Sequence, residues 1–273
     1  MKISGKVWVV TGAGAGIGRE LALALLDRGA RVAAVGRSAP GLAELTAAAG
    51  AGERLTTYQV DIADRAAVQA LPARVEADHG VVDGLINNAG IVQPFVPVVD
   101  MEESDIHQVM DINFFGTLHM CQAFLPVLMA RPEAHLANTS SMGGFFPFPD
   151  QTVYGASKAA VKLMTEGLHA ELLDTGVTVS VILTGAVATG ILRNVRPELA
   201  ALERDDVESK MMRPMPAEDA AKIILDGLEK DRLHVFVGKD ARALSFAFKV
   251  APRSAIGLVR KKMSEYLHVP EKT

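Results

Sequence analysis

A chain of 273 residues, 49% hydrophobic and only 5% aromatic, has the length to bury a substantial core as one α/β domain. Its formal charge of −4 lacks the basic stripe that nucleic acid would require, and its one cysteine, Cys121, leaves no intrachain disulfide and suits a reducing cytoplasm. Its apolar runs read as too short to span a bilayer, and a first strand starting at Val7 leaves no room for a cleavable leader, so a cytoplasmic protein is expected.

Short apolar runs alternate with amphipathic segments, which predicts βαβ units and a parallel sheet. KVWVVTG reads as a buried strand, with helical periodicity from Arg19 to a glycine stop at Gly29. RVAAVG is the second strand, before the helical GLAELTAAA, and LTTYQVD is the third, ending at Asp61 and followed by a helix through Ala77. VDGLINNAG is the fourth strand, helices flank Asn113, and HLANTSS is the fifth strand. The helix carrying Tyr154 runs to about Asp174, and VTVSVIL is the sixth strand. Residues 190–216, rich in Pro, Met and charge without a clear period, read as a loop that closes over substrate with Met211, Met212 and Met215. AEDAAKIILDGLEK is a helix and RLHVFVG a last strand. No repeat or linker divides the chain, so one catalytic domain over 1–240 is expected, with 241–273 as a C-terminal extension packed on that domain or on a neighbouring subunit.

The glycine-rich TGAGAGIG at 11–18 follows a strand and opens a helix. With glycine at Gly12, Gly16 and Gly18, backbone can approach a pyrophosphate closely, and the helix N–H groups meet its charge. The same residues would also serve a plain βα connection. About twenty residues on, an acid would bind the ribose 2′-hydroxyl of NAD, whereas an arginine would accommodate the 2′-phosphate of NADP. Here the strand ends Val35-Gly36-Arg37-Ser38. The guanidinium fork of Arg37 suits phosphate, so NADP(H) is expected over NAD(H), the alternative being a solvated surface arginine. Asp61 is placed to accept from an adenine amino group or to cap a helix.

Tyr154 and Lys158 stand four apart and share a helix face. A phenol titrates near pH 10 and needs a positive charge to work near neutrality, and Lys158 can supply one. Ser141 lies at the end of a predicted strand, where a sheet presents its ligands, with Ser140 as runner-up. Asn113 in DINFFGT offers both donor and acceptor, and Asn87 and Asn88 end the fourth strand. Each has a bland alternative: a core tyrosine, a turn serine, a capping amide.

Taken in order and spacing, TGAGAGIG (11–18), NNAG (87–90), Asn113, Ser141, YGASK (154–158) and the tail of VILTGAVAT (181–189) resemble a classical short-chain dehydrogenase/reductase over about residues 5–240. The resemblance implies a single-domain α/β fold with a Rossmann-type doubly wound parallel sheet flanked by helices, usually in a homodimer or homotetramer. It implies that Tyr154 gives or takes the proton, Ser141 orients the substrate oxygen, and Lys158 binds the nicotinamide ribose and lowers the tyrosine pKa. Asn113 would hold a water in the proton relay. It carries cofactor contacts to Gly12, Ala15, Gly16, Ile17, Gly18, Arg37, Ser38, Asp61, Ile62, Asn88, Ala89, Gly90, Tyr154, Lys158, Val187 and Thr189. Two positions depart from the family pattern. Thr184 stands where proline commonly precedes Gly185, removing a fixed φ and restoring a donor. Ala15 stands where a basic residue is often found, so NADP preference rests on Arg37 and Ser38.

Reducing a ketone leaves negative charge on its oxygen, and hydrogen bonds from Tyr154 and Ser141 would strengthen as that charge develops. Bringing the phenol to neutrality needs roughly 4 kcal/mol at 1.36 per pH unit. MGGFFPFPDQTV, between Ser141 and Tyr154, suggests an apolar wall made by Phe145 and Phe148. A lipophilic ketone or secondary alcohol is therefore expected, although packing or a subunit contact would use the same residues. The C-terminal ALSFAFKVAPRSAIGLVRKKM (243–263) is amphipathic and basic. Packing on protein is favoured for it over rest on a membrane surface. The histidines show no metal-ligand spacing, so no metal is expected. The rivals are an NAD-linked alcohol dehydrogenase and a nucleotide-binding regulator without turnover.

Overall fold

Five consecutive buried residues make β1 (Val7–Thr11) the centre of a sheet covered on both faces. The computed structural model describes residues 1–190 and 214–267. Beside β1 on one side run β2 (Arg31–Gly36) and β3 (Leu55–Gln59). On the other run β4 (Gly84–Asn87), β5 (Ala134–Ser141), β6 (Val177–Thr184) and, last, β9 (His234–Val237). Among the described residues this is a seven-stranded sheet in the order β3-β2-β1-β4-β5-β6-β9, and every pairing is parallel. Strand order reverses between β1 and β4, which opens a crevice at the strands' carboxyl ends. The fold is the doubly wound α/β domain expected from the sequence.

Alternation along β1 feeds the two cores. Trp8 and Val10 pack with Leu21 and Leu25 of α1 (Gly16–Asp27) and with Ile224 and Leu225 of the helix Ala217–Leu228, here α8. Val9 faces the opposite layer, with Leu85, Leu136, Phe124 and Leu128. Trp8 lies opposite Gly84 in the register, and a side chain at Gly84 would run into the indole ring.

Several boundaries differ from those expected. The helix predicted through Ala77 is two, α3 (Arg65–Gln69) and α4 (Leu71–His79), because Pro72 cannot donate within a continuous helix. Helices flank Asn113 as expected, and they are continuous with the stretch that holds it, forming one rod: α5 (Glu103–Met110), a π-helical stretch (Asp111–Gly116) and α6 (Thr117–Met129). The 103–129 rod is long and apolar enough to cross a membrane by length and composition, with mean hydropathy 1.3, which corrects the expectation that no run would be. Its apolar side is spent within the fold, where Met120, Cys121, Phe124 and Leu128 are buried.

The helix α7 (Thr152–Glu171) carries Tyr154 and follows β5. Of the expected substrate loop, 191–213 lies outside the described residues, and with it Met211 and Met212. Met215 belongs to a short strand, β8 (Met215–Pro216), paired with β7 (Val187–Ala188). After β9 come α9 (Lys239–Val250) and α10 (Pro252–Leu267).

Candidate active site

The glycine turn is pressed against the end of β4. Gly12 has φ +70°, and a Cβ there would lie 2.9 Å from Ala89 Cα. Thr11 Oγ1 accepts from the amides of Asn88 (2.9 Å) and Ala89 (3.1 Å), and Asn88 Nδ2 donates to the Thr11 carbonyl (3.3 Å). Gly16, at φ +52°, faces Thr189, whose Cβ would be 3.0 Å from an added side chain. The motif residues at 11–18, 88–90 and 189 thus meet at one place. Ala15 precedes α1 in extended conformation, and no side chain caps the amides of Gly16, Ile17 and Gly18. Such a helix start suits an anionic phosphate.

At the end of β2, Arg37 projects with 69% of its side chain exposed, 3.9 Å from the Asp61 carboxylate. Asp61 also accepts from the Ala63 amide at 3.0 Å. Ser38 caps the following helix α2 (Ala39–Ala49), accepting from the Gly41 amide at 3.2 Å. Ile62 packs under Gly116, and its carbonyl lies 3.4 Å from His119 Nδ1. His119 also lines a cavity of about 340 Å³ between α3 and α6, with Arg65 and Gln122. Tyr154 and Ser141 do not line it.

Thr184, in place of the proline, donates to the Ser140 carbonyl at 3.3 Å. Beyond it the Gly185 amide binds the Val237 carbonyl (2.8 Å) and the Ala186 amide binds Asp240 Oδ2 (2.9 Å). Hydrogen bonds to β9 and α9 thus hold the segment leading to Val187 and Thr189.

Ser141 ends β5, its oxygen accepts from the Gly143 amide at 3.1 Å, and a Cβ on Gly143 would lie 3.7 Å from that oxygen and 3.2 Å from the Tyr154 ring, so the two side chains meet there. Ser140 points the other way and donates to the Lys158 carbonyl at 2.7 Å, tying β5 to α7. Lys158 is buried and donates from Nζ to the Thr139 carbonyl at 3.1 Å. A Cβ on Gly90 would sit 3.0 Å from Lys158 Nζ and 3.1 Å from Asn113 Oδ1, so the bare glycine brings both groups to the NNAG backbone. Asn113 Oδ1 accepts from the Ile91 amide (2.8 Å), and its Nδ2 donates to the Ile91 carbonyl (2.9 Å) and to Ser157 Oγ (3.0 Å). Ser157 in turn donates to the Tyr154 carbonyl at 2.7 Å. The π-helical turn sets Asn113 facing this segment, a known use of such turns.

The electrostatics differ from those expected. Burial pushes the Tyr154 phenol above its ordinary value, and the opposing influence is the Ser141 hydrogen bond rather than Lys158. Burial likewise pushes Lys158 down to about 8. The ammonium donates to the Thr139 carbonyl.

The three phenylalanines after Ser141 also divide. Phe146 is a core residue, with ring centroids 5.1 Å from Phe148 and 5.4 Å from Phe248 of α9. Phe145 stacks edge-on to Phe236 at 6.4 Å. Phe145 and Phe148 stay partly exposed beside Ser141.

Two features were missed from the sequence. Gln93 is fully buried and accepts from the Tyr154 amide at 2.7 Å. Beneath the site, Asn87 Nδ2 donates to Asn138 Oδ1 (2.9 Å), and Asn138 Nδ2 donates to Thr165 Oγ1 (3.0 Å). Cys121 lies among them, its thiol pushed up to about 12 by burial and therefore inert. An asparagine inside an apolar strand, as in HLANTSS, was the available signal.

The short chain dehydrogenase family model matches residues 6–200. The chain belongs to the short-chain dehydrogenase/reductase family. It is an oxidoreductase of that family, built for a nicotinamide dinucleotide. A relative within the family is the 1-deoxy-11-beta-hydroxypentalenate dehydrogenase of Streptomyces avermitilis, 34% identical over 86% of this chain and 85% of its own. Among solved structures, a short-chain dehydrogenase from Burkholderia cenocepacia in complex with NADP is similar at TM-score 0.79 and 30% identity, covering 95% of this chain and 99% of its own. A short-chain dehydrogenase/reductase from Burkholderia phymatum in complex with NAD is similar at TM-score 0.79 and 26% identity, covering 92% of this chain and 96% of its own.

Proposed function

We propose that this short-chain dehydrogenase/reductase interconverts a ketone and a secondary alcohol on a lipophilic substrate, prefers NADP(H), and uses Tyr154 as general acid and base. The observation that carries this reading is that the Tyr154 ring and Ser141 Oγ meet over Gly143, where an added Cβ would lie 3.2 Å from the ring and 3.7 Å from the hydroxyl, at the same sheet edge as the uncapped start of α1. The nicotinamide, when bound, supplies or accepts the hydride.

The remaining tasks fall to side chains. A phenol raised by burial keeps its proton at neutral pH, so it is ready to donate to an oxygen gaining negative charge, with Ser141 as second donor. Lys158, at about 8, is mostly protonated at pH 7, and its charge favours the phenolate left after donation. Asn113 and Ser157 hold the first turn of α7 in place. In the oxidation direction the same groups act in reverse. Partly exposed Phe145 and Phe148 support an apolar substrate, as does a relative named for a hydroxypentalenate.

Arg37 supports NADP(H), since its exposed guanidinium has one loose carboxylate partner and suits a 2′-phosphate. That partner also favours a second reading: Asp61, 3.9 Å away, competes for the guanidinium and would leave an NAD-linked alcohol dehydrogenase. The enzyme is taken to work in the cytoplasm as a homodimer or homotetramer.

The test is oxidation of NADPH and of NADH, followed at 340 nm, against small, aromatic and steroid-sized ketones, with Tyr154→Phe as control. Turnover that needs Tyr154, favours NADPH and rises with ketone bulk is expected. Tight NADPH binding without reduction of any ketone would instead make the protein a nucleotide-binding regulator.

A further inference from the structure

Helix α9 has two unlike faces. Its inner side buries Ala241 and sets Phe248 against Phe146, below the loop that follows Ser141. Its outer side presents Arg242, Phe246, Lys249 and Val250, at spacings of four, three and one, hence one stripe. Phe246 is 70% exposed and Val250 67%. Pro252 then starts α10, where it costs no helix hydrogen bond. Among the described side chains of α10 only Ala255 is buried. Ile256 and Leu258 project at 37% and 56% exposure, with Arg253 and Arg260 also exposed.

Single exposed apolar side chains are ordinary. Here four large ones fall within thirteen residues, interleaved with cations. Residues 239–263 hold seven lysines and arginines against one acid, Asp240, a local charge of +6 in a chain whose total is −4. The other 248 residues therefore carry −10.

We propose that α9 and α10 form a docking surface for an anionic lipid bilayer, with Phe246, Val250, Ile256 and Leu258 entering the headgroup boundary and the basic side chains pairing with lipid phosphates. Alternating cationic and apolar side chains on an exposed helix fit that boundary, where one end of each group meets hydrocarbon and the other meets charge. Self-association through this face fits less well. A two-fold contact would set the same patch on both copies, bringing +6 against +6. A purely ionic partner would give no reason for exposed Phe246 and Val250.

Docking by the outer stripe of α9 would hold the Phe146 loop about one helix thickness, roughly 10 Å, from the lipid. That placement matters for catalysis only if the substrate is lipophilic, as proposed above. The binding itself is independent of that reading and is measured without cofactor or ketone.

The experiment is co-sedimentation of the full-length protein with vesicles of phosphatidylcholine containing about one third phosphatidylglycerol. Pure phosphatidylcholine vesicles and high salt serve as comparisons. Binding to the anionic vesicles is expected, weakened about tenfold or more by removing the anionic lipid or adding salt. Phe246→Ser with Val250→Ser, and separately Lys249→Glu with Arg253→Glu, should each weaken it about tenfold, while reduction of a water-soluble ketone stays unchanged. These are exposed positions that fold does not depend on. Failure of the wild type to sediment overturns the proposal. So does full binding by the Phe246/Val250 variant, which would mean ionic adsorption without entry. An oligomer that dissociates in that variant, with no vesicle binding, would make the face a subunit contact instead.

Discussion

Gln93 gives its side-chain oxygen to the main-chain amide of Tyr154 at 2.7 Å. Tyr154 is the third residue of α7, whose first amides have no partner inside the helix, and Gln151 at the cap position supplies no side-chain bond. Gln93 supplies one from the loop after NNAG and fixes the other end of its amide on the Asp150 carbonyl at 3.0 Å. The helix that carries Tyr154 is thus capped from 61 residues away.

Removing that cap should move Tyr154 without touching the cofactor groups. Gln93→Leu leaves the Tyr154 amide without its side-chain acceptor, worth about 1–3 kcal/mol, while the Asp150 carbonyl keeps its bond from Gln151. We expect kcat to fall about tenfold or more, while KM for the nicotinamide cofactor changes by less than about twofold. Gln93→Glu keeps the acceptor but needs a proton to meet the Asp150 carbonyl, so its activity relative to wild type should decline as pH rises. Steady-state kinetics from pH 6 to 9 check both, and equal losses in kcat and cofactor affinity for Gln93→Leu would count against positioning.

Lys158 sets a second expectation. Burial lowers it from 10.5 to about 8, so it loses its charge as pH climbs through that value. Cofactor affinity and turnover should therefore decline above about pH 8. Stability should move the other way. Between about 8 and 10.5 the unfolded chain holds the proton that the folded chain has shed, so this residue adds stability as pH rises across that window. Activity loss with a steady or rising Tm separates titration of Lys158 from alkaline unfolding. In Lys158→Met both pH effects should disappear, and a Met variant with the wild-type Tm profile would contradict the assignment.

Arg37 provides the test of the proposed NADP(H) preference. A guanidinium on a 2′-phosphate contributes about 1.5–3 kcal/mol as a charged hydrogen bond, so Arg37→Ala should raise KM for NADPH about tenfold to a hundredfold and leave NADH within about twofold. Asp61→Asn removes the carboxylate 3.9 Å from the guanidinium and should tighten NADPH several-fold. An unchanged NADPH KM in Arg37→Ala returns Arg37 to the status of a solvated surface residue.

What the sequence revealed follows from the range of the interactions. Gly12 and Gly16 were legible because their positive φ and close neighbours permit little else. The βαβ order was legible because buried parallel strands are short continuous apolar runs, as in Val7–Thr11. The Tyr154–Lys158 pair was legible as a spacing, but the shifts of the two groups were not, since burial is the largest cause of each. The π-helical turn at Asn113 and the Gln93 cap depend on partners far along the chain, which local periodicity does not encode. Phe146 looked like its neighbours Phe145 and Phe148 until α9 placed Phe248 against it.

His135, near the start of β5, gives a prediction away from the site. Ser180 commits its proton to the Arg232 carbonyl at 2.7 Å, so His135 Nε2 must be the donor in the 2.9 Å contact with Ser180 Oγ. That leaves Nδ1 as an unprotonated nitrogen without a hydrogen-bond partner, 3.8 Å from Asp231. Burial pushes the imidazole down to about 4, and Asp231 only partly opposes it. From its ordinary 6.5 down to about 4 the unfolded chain takes up a proton that the folded chain refuses. Stability should therefore fall across that window as pH falls, by on the order of 3 kcal/mol at 1.36 per unit. His135→Asn cannot take up that proton in either state. It should lower Tm at pH 7.5 through the lost packing, flatten the decline between pH 6.5 and 4, and leave kcat at pH 7.5 near wild type. A thermal melt series in which the variant declines as steeply as wild type would show that other groups drive the acid sensitivity.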